Sequence, residues 1–423
     1  MIETLAQIAS CLDGYDPDAL PVPQAKDFIA RLVRPLVDVE TVALPNALGR
    51  VLASDVVCPF DVPAHDNSAM DGYSLRGSDL ATSGLPTRLA LAGGALAGHR
   101  FDGTPPLGHC VRIMTGAVMP EGHDTVVPQE LAQLRDGAVD IAAGAVRPGD
   151  NRRRRGEDLS AGETALTAGR RLRPADIGLL ASLGQAQVTV RRRPRVAYFS
   201  TGDELRPVGE ALPPGCVYDS NRYTIAAMLQ RLGVEAVDLG VVRDDPLALE
   251  ATLREAALCD AVVTSGGVSV GDADHTRATV AKVGEVLFWK IAMRPGRPMA
   301  IGRLQGGALL FGLPGNPVAV MVTFYALVRD ALLQLSGAVP ETLPMLRATA
   351  SAPIRKRTGR TEYQRGIVTP AANGGWQVAV TGEQGSGILR SMSLANGLIV
   401  LAQDRGPVEA GEWVDVLPFD GLV

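Results

Sequence analysis

Residues 264 to 276 read TSGGVSVGDADHT, a loop in which Ser265, Gly266, Gly267, Ser269 and Gly271 run directly into Asp272 and Asp274. Small residues let backbone N–H groups close around an anion, whereas two carboxylates repel one. Together they suit a phosphate that arrives with a hard divalent cation, which takes oxygen ligands. Three more polar clusters repeat the theme. STGDEL (200–205) carries Thr201, Gly202 and Glu204, and RDDP (243–246) carries Asp244 and Asp245. LPGNP (313–317) sets Pro314, Gly315 and Asn316 just before Pro317, where a first helical turn with free N–H groups would start. In KIAMRPGRPMAIG (290–302), Lys290, Arg294 and Arg297 surround a Pro-Gly turn. Guanidinium forks bind tetrahedral oxyanions in a bidentate way, so this turn reads as an oxyanion clamp. YQRG (363–366) and GEQGSGILRSMS (382–393) add Arg365, Ser386, Arg390 and Ser391, which either line a second anion pocket or cap turns.

Such clusters need elements to bring them together. RVAYFS (195–200), EAVDLGVV (235–242), DAVVTS (260–265) and ALLFGL (308–313) read as strands buried on both faces, each ending in one of the four polar clusters. SNRYTIAAMLQRLG (220–233), with Ser220 as its N-cap and Gly233 as its stop, and DPLALEATLREAAL (245–258) read as the helices between them. The alternation predicts a parallel sheet whose ligands lie beyond the carboxyl ends of the strands. One such cluster is an ordinary turn; four at one sheet edge make a site. The fold class is therefore α/β plus β, in several domains. A central α/β domain (1–23 and 191–340) is flanked by a β-rich second domain (55–146), a discontinuous mixed linker domain (24–54 and 147–190) and a C-terminal β-barrel or sandwich (341–423).

Composition excludes other classes. The chain has 423 residues, 46% of them hydrophobic, enough for roughly three domains. A net charge of −5 argues against a general nucleic-acid binder. The longest apolar run, PVAVMVTFYALV (317–328), ends at Arg329 and reads as a buried helix rather than a membrane span. The stretch MIETLAQIASCLDGYDPD (1–18) has neither a basic n-region nor a small-residue cleavage site, so no signal peptide is expected there and residence in the cytoplasm is the expectation. Five cysteines scattered singly read as small core residues, and the histidines lack metal-ligand spacing, so any metal is expected to be held by oxygen. Two motifs stand apart from the α/β region. HDNSAMDGY (65–73) is a polar turn, and NRRRRGED (151–158) is by default a solvated face or an ion-pair network.

DNSAMDGY, RIMTGAVMPEG (112–122), RRRGED, STGDEL, SGGVSVGDAD and GLPGNPV, in this order, resemble the bacterial molybdopterin molybdenumtransferase family, which includes the gephyrin E domain and its plant counterpart. The likeness runs from about residue 40 to the C-terminus. It implies an enzyme of molybdenum cofactor synthesis that takes adenylylated molybdopterin and molybdate, uses Mg2+, and releases AMP. It implies a homodimer whose clefts are shared, with Asp71, Thr115 and Asp158 contributed from the second-domain side and Glu204, Asp244 and Asp274 from the α/β side. The last three would be the metal ligands. Transient contact with molybdopterin adenylyltransferase and with recipient molybdoenzymes would follow, with no nucleic acid and no membrane as partners. The family often carries lysines where this chain has Arg294 and Arg297, which keeps the charge and changes a compact ammonium into a planar fork. Two rivals remain open on sequence alone. One is an adenylyltransferase-like enzyme built on the same α/β fold, and the other a gephyrin-like scaffold whose main role is binding.

Overall fold

The structure, a computed structural model, describes residues 4–12, 14–81, 84–266, 273–372 and 374–419, the side chains of 273–277 excepted. It divides into two compact units. The first takes Met1–Ala53, Gly169–Arg173 and Gln187–Val423, and the second takes Ser54–Ala168 and Pro174–Ala186.

In the first unit the predicted βαβ pattern forms as β1 (Arg195–Thr201), α1 (Ser220–Leu232), β2 (Glu235–Val242), α2 (Pro246–Ala256), β3 (Ala261–Ser265) and α3 (Ala273–Val283). These are followed by β4 (Gly284–Lys290), β5 (Pro298–Leu304), β6 (Leu309–Leu313) and α4 (Pro317–Leu335). The sheet order is β2-β1-β3-β6-β5-β4. The first four strands are parallel, and β5 and β4 pair antiparallel along one edge. The parallel pairing expected of β1, β2, β3 and β6 is present, and the antiparallel pair extends it into a mixed sheet. The parallel strands are apolar on both faces because helices cover both. Val196, Val263, Phe311 and Leu313 face one core cluster, while Ala197, Phe199, Val262 and Leu310 face the other.

Helix α4 is the one helix among the described residues with the length and apolarity of a membrane span, but 78% of that stretch is buried inside the unit. Phe28 meets Trp289 edge-on, ring centroids 4.9 Å apart, and Trp289 Nε1 donates to the Tyr15 hydroxyl at 2.9 Å. The N-terminal segment is in this way packed against β4.

Beyond α4, β7 (Leu346–Ala350), β8 (Thr361–Pro370), β9 (Trp376–Val380), β10 (Gly397–Leu401) and β11 (Trp413–Pro418) pair in the order β8-β9-β7-β11-β10. Strand β10 returns to β8, which closes a five-stranded barrel. Closure removes sheet edges, and the interior is filled by Ala348, Val378, Ile399, Val414 and Val416.

The second unit is built on a six-stranded mixed sheet, in the order Thr125–Pro128, Gly72–Leu75, His109–Ile113, Thr87–Ala95, Ala138–Ile141, Ala132–Arg135. The arginine run is an ion-pair network: Arg152 meets Asp66 at 3.0 Å, Arg153 meets Glu157 at 3.0 Å, and Arg155 meets Asp61. Of the five cysteines, all free, only Cys58 and Cys110 are buried, and Cys11 is exposed, so the reading of all five as core residues is corrected.

This unit also buries an imidazole. His123 is 5% exposed; its Nδ1 lies 3.0 Å from Ser74 Oγ and its Nε2 has no partner. Burial, and then the positive Arg76, hold its pKa down from 6.5 to about 4. Between those values the unfolded chain binds a proton that the folded chain does not, so stability is intact above pH 6.5 and is lost as pH falls toward 4. The expected loss is on the order of 2 kcal/mol after allowance for screening. His123→Gln should flatten that slope in urea titrations run at several pH values; a variant as acid-labile as the parent would count against it.

Candidate active site

Four loops converge at the carboxyl edge of the parallel strands. They line a cleft of about 540 Å³ that includes Thr201, Gly202, Glu204, Asn221, Asp244 and Ser265, with Gly266 and Gly315 behind them. The convergence expected of the strand tips is therefore present for β1, β2, β3 and β6. Gly267, Ser269, Gly271 and Asp272, and the side chain of Asp274, lie outside the described residues.

The cleft is held by buried polar side chains at the start of α1 that sequence reading had passed over. Asp219, not Ser220, is the N-cap: its carboxylate accepts from the Arg222 N–H at 3.1 Å. The αL residue Gly233 (φ 79°) ends the helix as expected. Asp219 also accepts from Ser200 Oγ at 3.0 Å, which ties α1 to the tip of β1. Asn221 Nδ2 donates to Ser265 Oγ at 2.7 Å and to the Gly315 carbonyl at 2.6 Å, which ties α1 to the tips of β3 and β6. The tripeptide 219–221 thus clamps three strand ends. The available signal was a run of short polar residues immediately before an amphipathic helix.

Two buried polar atoms of the cleft, Thr201 Oγ1 and Asn221 Oδ1, have no hydrogen-bond partner. Buried polar atoms are nearly always satisfied, so an unsatisfied pair lining a cleft marks a place for a ligand. Glu204 is exposed, and its carboxylate makes no hydrogen bond or ion pair among the described residues. Its carboxylate lies over Gly202, where an added Cβ would come within 2.6 Å of Oε2. Asp203 accepts the Asp244 N–H at 3.3 Å and links the β1 and β2 tips. Asp245 is the N-cap of α2, its Oδ1 accepting from the N–H groups of Leu247 and Ala248. No three His, Cys, Asp or Glu side chains converge as a ligand group among the described residues.

Gly266 is required by geometry. Its φ is +90°, and a Cβ there would sit 2.5 Å from the Thr201 carbonyl oxygen. Gly266→Ala is expected to destabilise the first unit by at least about 2 kcal/mol, through backbone strain and clash. An unchanged urea midpoint would refute it.

Next to this cleft, and sharing Gly315 with it, lies a cavity of about 440 Å³ lined by Arg294, Gly296, Arg297, Pro314, Asn316 and Ser386. Both arginines are exposed, and among the described residues the Arg297 guanidinium makes a single 3.5 Å contact, to the Asp18 carbonyl. Lys290 does not join them, since it is ion-paired to Asp18 at 2.7 Å. Nor is the α4 N-terminus fully free, because the Val318 N–H donates to the Ser386 carbonyl at 3.1 Å.

Arg365 and Ser391 are structural. Arg365 is 1% exposed, with Nε on Ser391 Oγ at 2.9 Å and its terminal nitrogens on the carbonyls of Glu383, Gln384 and Gly385. These bonds cap the 383–385 turn, and Arg365 also lines a cavity of about 890 Å³. Burial, and then the nearby Arg294, lower its pKa to about 10. Ser386 lines the 440 Å³ cavity, and Arg390 is exposed.

In the second unit, Asp71 Oδ1 accepts from both the Thr115 N–H and its Oγ1, each at 2.7 Å. These bonds hold the Asp71 carboxyl below its ordinary pKa. No hydrogen bond or ion pair joins Asp158 to them among the described residues; its N–H donates to the Val62 carbonyl.

With the geometry in hand, likeness to known proteins can be weighed. Three family models match in order: "MoeA N-terminal region (domain I and II)" over 20–184, "Probable molybdopterin binding domain" over 197–334, and "MoeA C-terminal region (domain IV)" over 347–419. A molybdopterin molybdenumtransferase of Haemophilus influenzae is 43% identical over 386 residues, covering 91% of this chain and 95% of the relative. The chain belongs to the molybdopterin molybdenumtransferase family. Molybdopterin molybdenumtransferase 2 of Mycobacterium tuberculosis is 37% identical over 399 residues, covering 91% and 95%. A crystal structure of the molybdopterin biosynthesis moeA protein from Pyrococcus horikoshii OT3 superimposes with a TM-score of 0.82 at 28% identity, covering 95% of this chain and all of that one. The family's molybdopterin-binding model spans β1 to α4 and so contains the strand-tip cleft.

Proposed function

We propose that this molybdenum cofactor transferase opens the pyrophosphate of adenylylated molybdopterin in the strand-tip cleft, releases AMP and places molybdate on the dithiolene. The observation that carries the reading is the pair of unsatisfied buried groups, Thr201 Oγ1 and Asn221 Oδ1, beside the unpaired Glu204. Thr201 faces the phosphates, and Asn221 reads a donor on the organic part. The donor set of Glu204 and Asp244 is hard oxygen, which fits Mg2+, and Asp274 would complete it. The cation supplies charge neutralisation on the pyrophosphate. The chain's own part is to orient: a water oxygen bonds to one phosphorus, the bridging P–O bond breaks, and the proton passes to Glu204. Arg294 and Arg297 present two forks to molybdate next door.

The resemblance also supports a homodimer in which Asp71 and Thr115 of one subunit serve the other's cleft. Purified protein given adenylylated molybdopterin, molybdate and Mg2+ should release AMP and form molybdenum-loaded pterin in equal amounts. Absence of AMP would sink the reading. Mixed Asp71→Ala and Glu204→Ala subunits should recover about a quarter to a half of the activity, one intact cleft per heterodimer; a mixture as inactive as its parts would remove the shared cleft.

A further inference from the structure

A cavity of about 890 Å³ in the first unit lies at the mouth of the C-terminal barrel, away from the strand tips. It shares Arg294, Arg360 and Gln384 with the molybdate-sized cavity beside it. Six cationic side chains line it against two carboxylates, Glu362 and Glu383. One of those carboxylates is already engaged, because Glu362 is 1% exposed, accepts from Gln364 at 3.0 Å and faces Arg360 at 3.4 Å. Arg294, Arg355 and Arg357 are exposed and have no ion pair among the described residues.

The walls are built and not merely basic. Lys356 is 5% exposed, and its ammonium donates to the carbonyls of Arg357 and Arg360 at 2.8 Å and of Arg405 at 3.1 Å. All three of its N–H groups are thereby committed to holding the loop that carries Arg355 and Arg357. On the opposite wall the buried Arg365 holds the 383–385 loop in the same way. Two buried cations fixing the two rims of one positive cavity raise the energy of the empty protein, a burden that a bound anion relieves. A tetrahedral oxyanion needs a single fork, whereas this volume and three unpaired arginines suit a larger, multiply charged guest.

We infer that the barrel mouth is a second anion subsite, which holds the phosphate-bearing end of an organic phosphate through Arg355 and Arg357. It deepens the proposed function: the site would retain a phosphorylated product or leaving group next to the molybdate cavity. The aromatic side chain in its lining, Tyr363, is buried, so recognition runs on phosphate charge rather than on ring stacking.

The test is calorimetric titration with inorganic pyrophosphate in EDTA, where the carboxylate-lined strand-tip cleft repels it, at about 150 mM salt. Wild type should bind; Arg355→Gln/Arg357→Gln should bind at least about 30-fold more weakly with an unchanged melting temperature; Arg297→Ala should stay within about threefold of wild type. AMP and ribose 5-phosphate should bind alike. The proposal is overturned if the double variant titrates like wild type, if wild type does not bind at that salt, or if AMP binds tenfold more tightly than ribose 5-phosphate. No pterin, molybdate or turnover enters the measurement, so its outcome is independent of whether the proposed reaction occurs.

Discussion

Glu204→Gln is expected to lower AMP release at least about 100-fold and to leave folding intact. The carboxylate at this position makes no hydrogen bond or ion pair among the described residues and is exposed in the strand-tip cleft, so the fold does not depend on it. The amide keeps its volume and removes its charge. A hard cation loses a ligand, and the attacking water loses its proton acceptor. If the first loss dominates, raising Mg2+ should restore part of the rate; if the second does, the rate should stay low at every Mg2+ concentration. Wild-type rates for Glu204→Gln at ordinary Mg2+ would remove Glu204 from the chemistry. Asp244→Asn makes a second version of the same test, because the substitution keeps the Asp244 N–H that links the two strand tips through Asp203.

The residues that do chemistry were more legible than the residues that hold them. Strands β1, β2, β3 and β6 announced themselves through short, mostly apolar runs, and their tips through polar, turn-forming clusters, because both signals are local. Strands β4 and β5 did not, since the Arg-Pro-Gly turn between them interrupts the apolar pattern and draws attention to its charges. Lys290 looked free for the same reason, although its partner Asp18 lies far away in sequence. Arg365 stayed open between lining an anion pocket and capping a turn, because an arginine at 1% exposure is rare and only the return of β10 to β8 and the 383–385 loop create its burial. Asp245 carried a carboxylate of the right type in the right cluster, yet one of its oxygens, Oδ1, is taken by two N–H groups of the helix it begins. Local chemistry can be read from composition and spacing; who has already claimed a group cannot, because the claimants are distant.

Asp219 is where that difference should be largest in stability. Its side chain is 1% exposed and serves three neighbours: the Arg222 N–H at the start of α1, the Ser200 hydroxyl at the end of β1, and the Arg222 guanidinium, whose Nε lies 3.3 Å from Oδ2. That last contact is close enough for an ion pair but off hydrogen-bond geometry, since neither atom counts as hydrogen-bonded. Its contribution is accordingly the smaller one, and Arg222 keeps a better partner in Asp238 at 2.7 Å. Asp219→Ala removes a helix cap, worth about 1 kcal/mol, and leaves the buried Ser200 hydroxyl without its acceptor, worth a further 1–3 kcal/mol. A total of about 3 kcal/mol is expected. Asp219→Asn keeps the acceptor oxygen and the cap, so it should lose only about 1 kcal/mol. The ordering Ala well below Asn, in urea midpoints, is the diagnostic; equal losses would mean that charge, through Arg222, carries the effect. Because Asn221 sits two residues on and bridges Ser265 to Gly315, loosening the α1 start should also loosen the cleft. Asp219→Ala should therefore raise KM for the adenylylated pterin more than it lowers kcat.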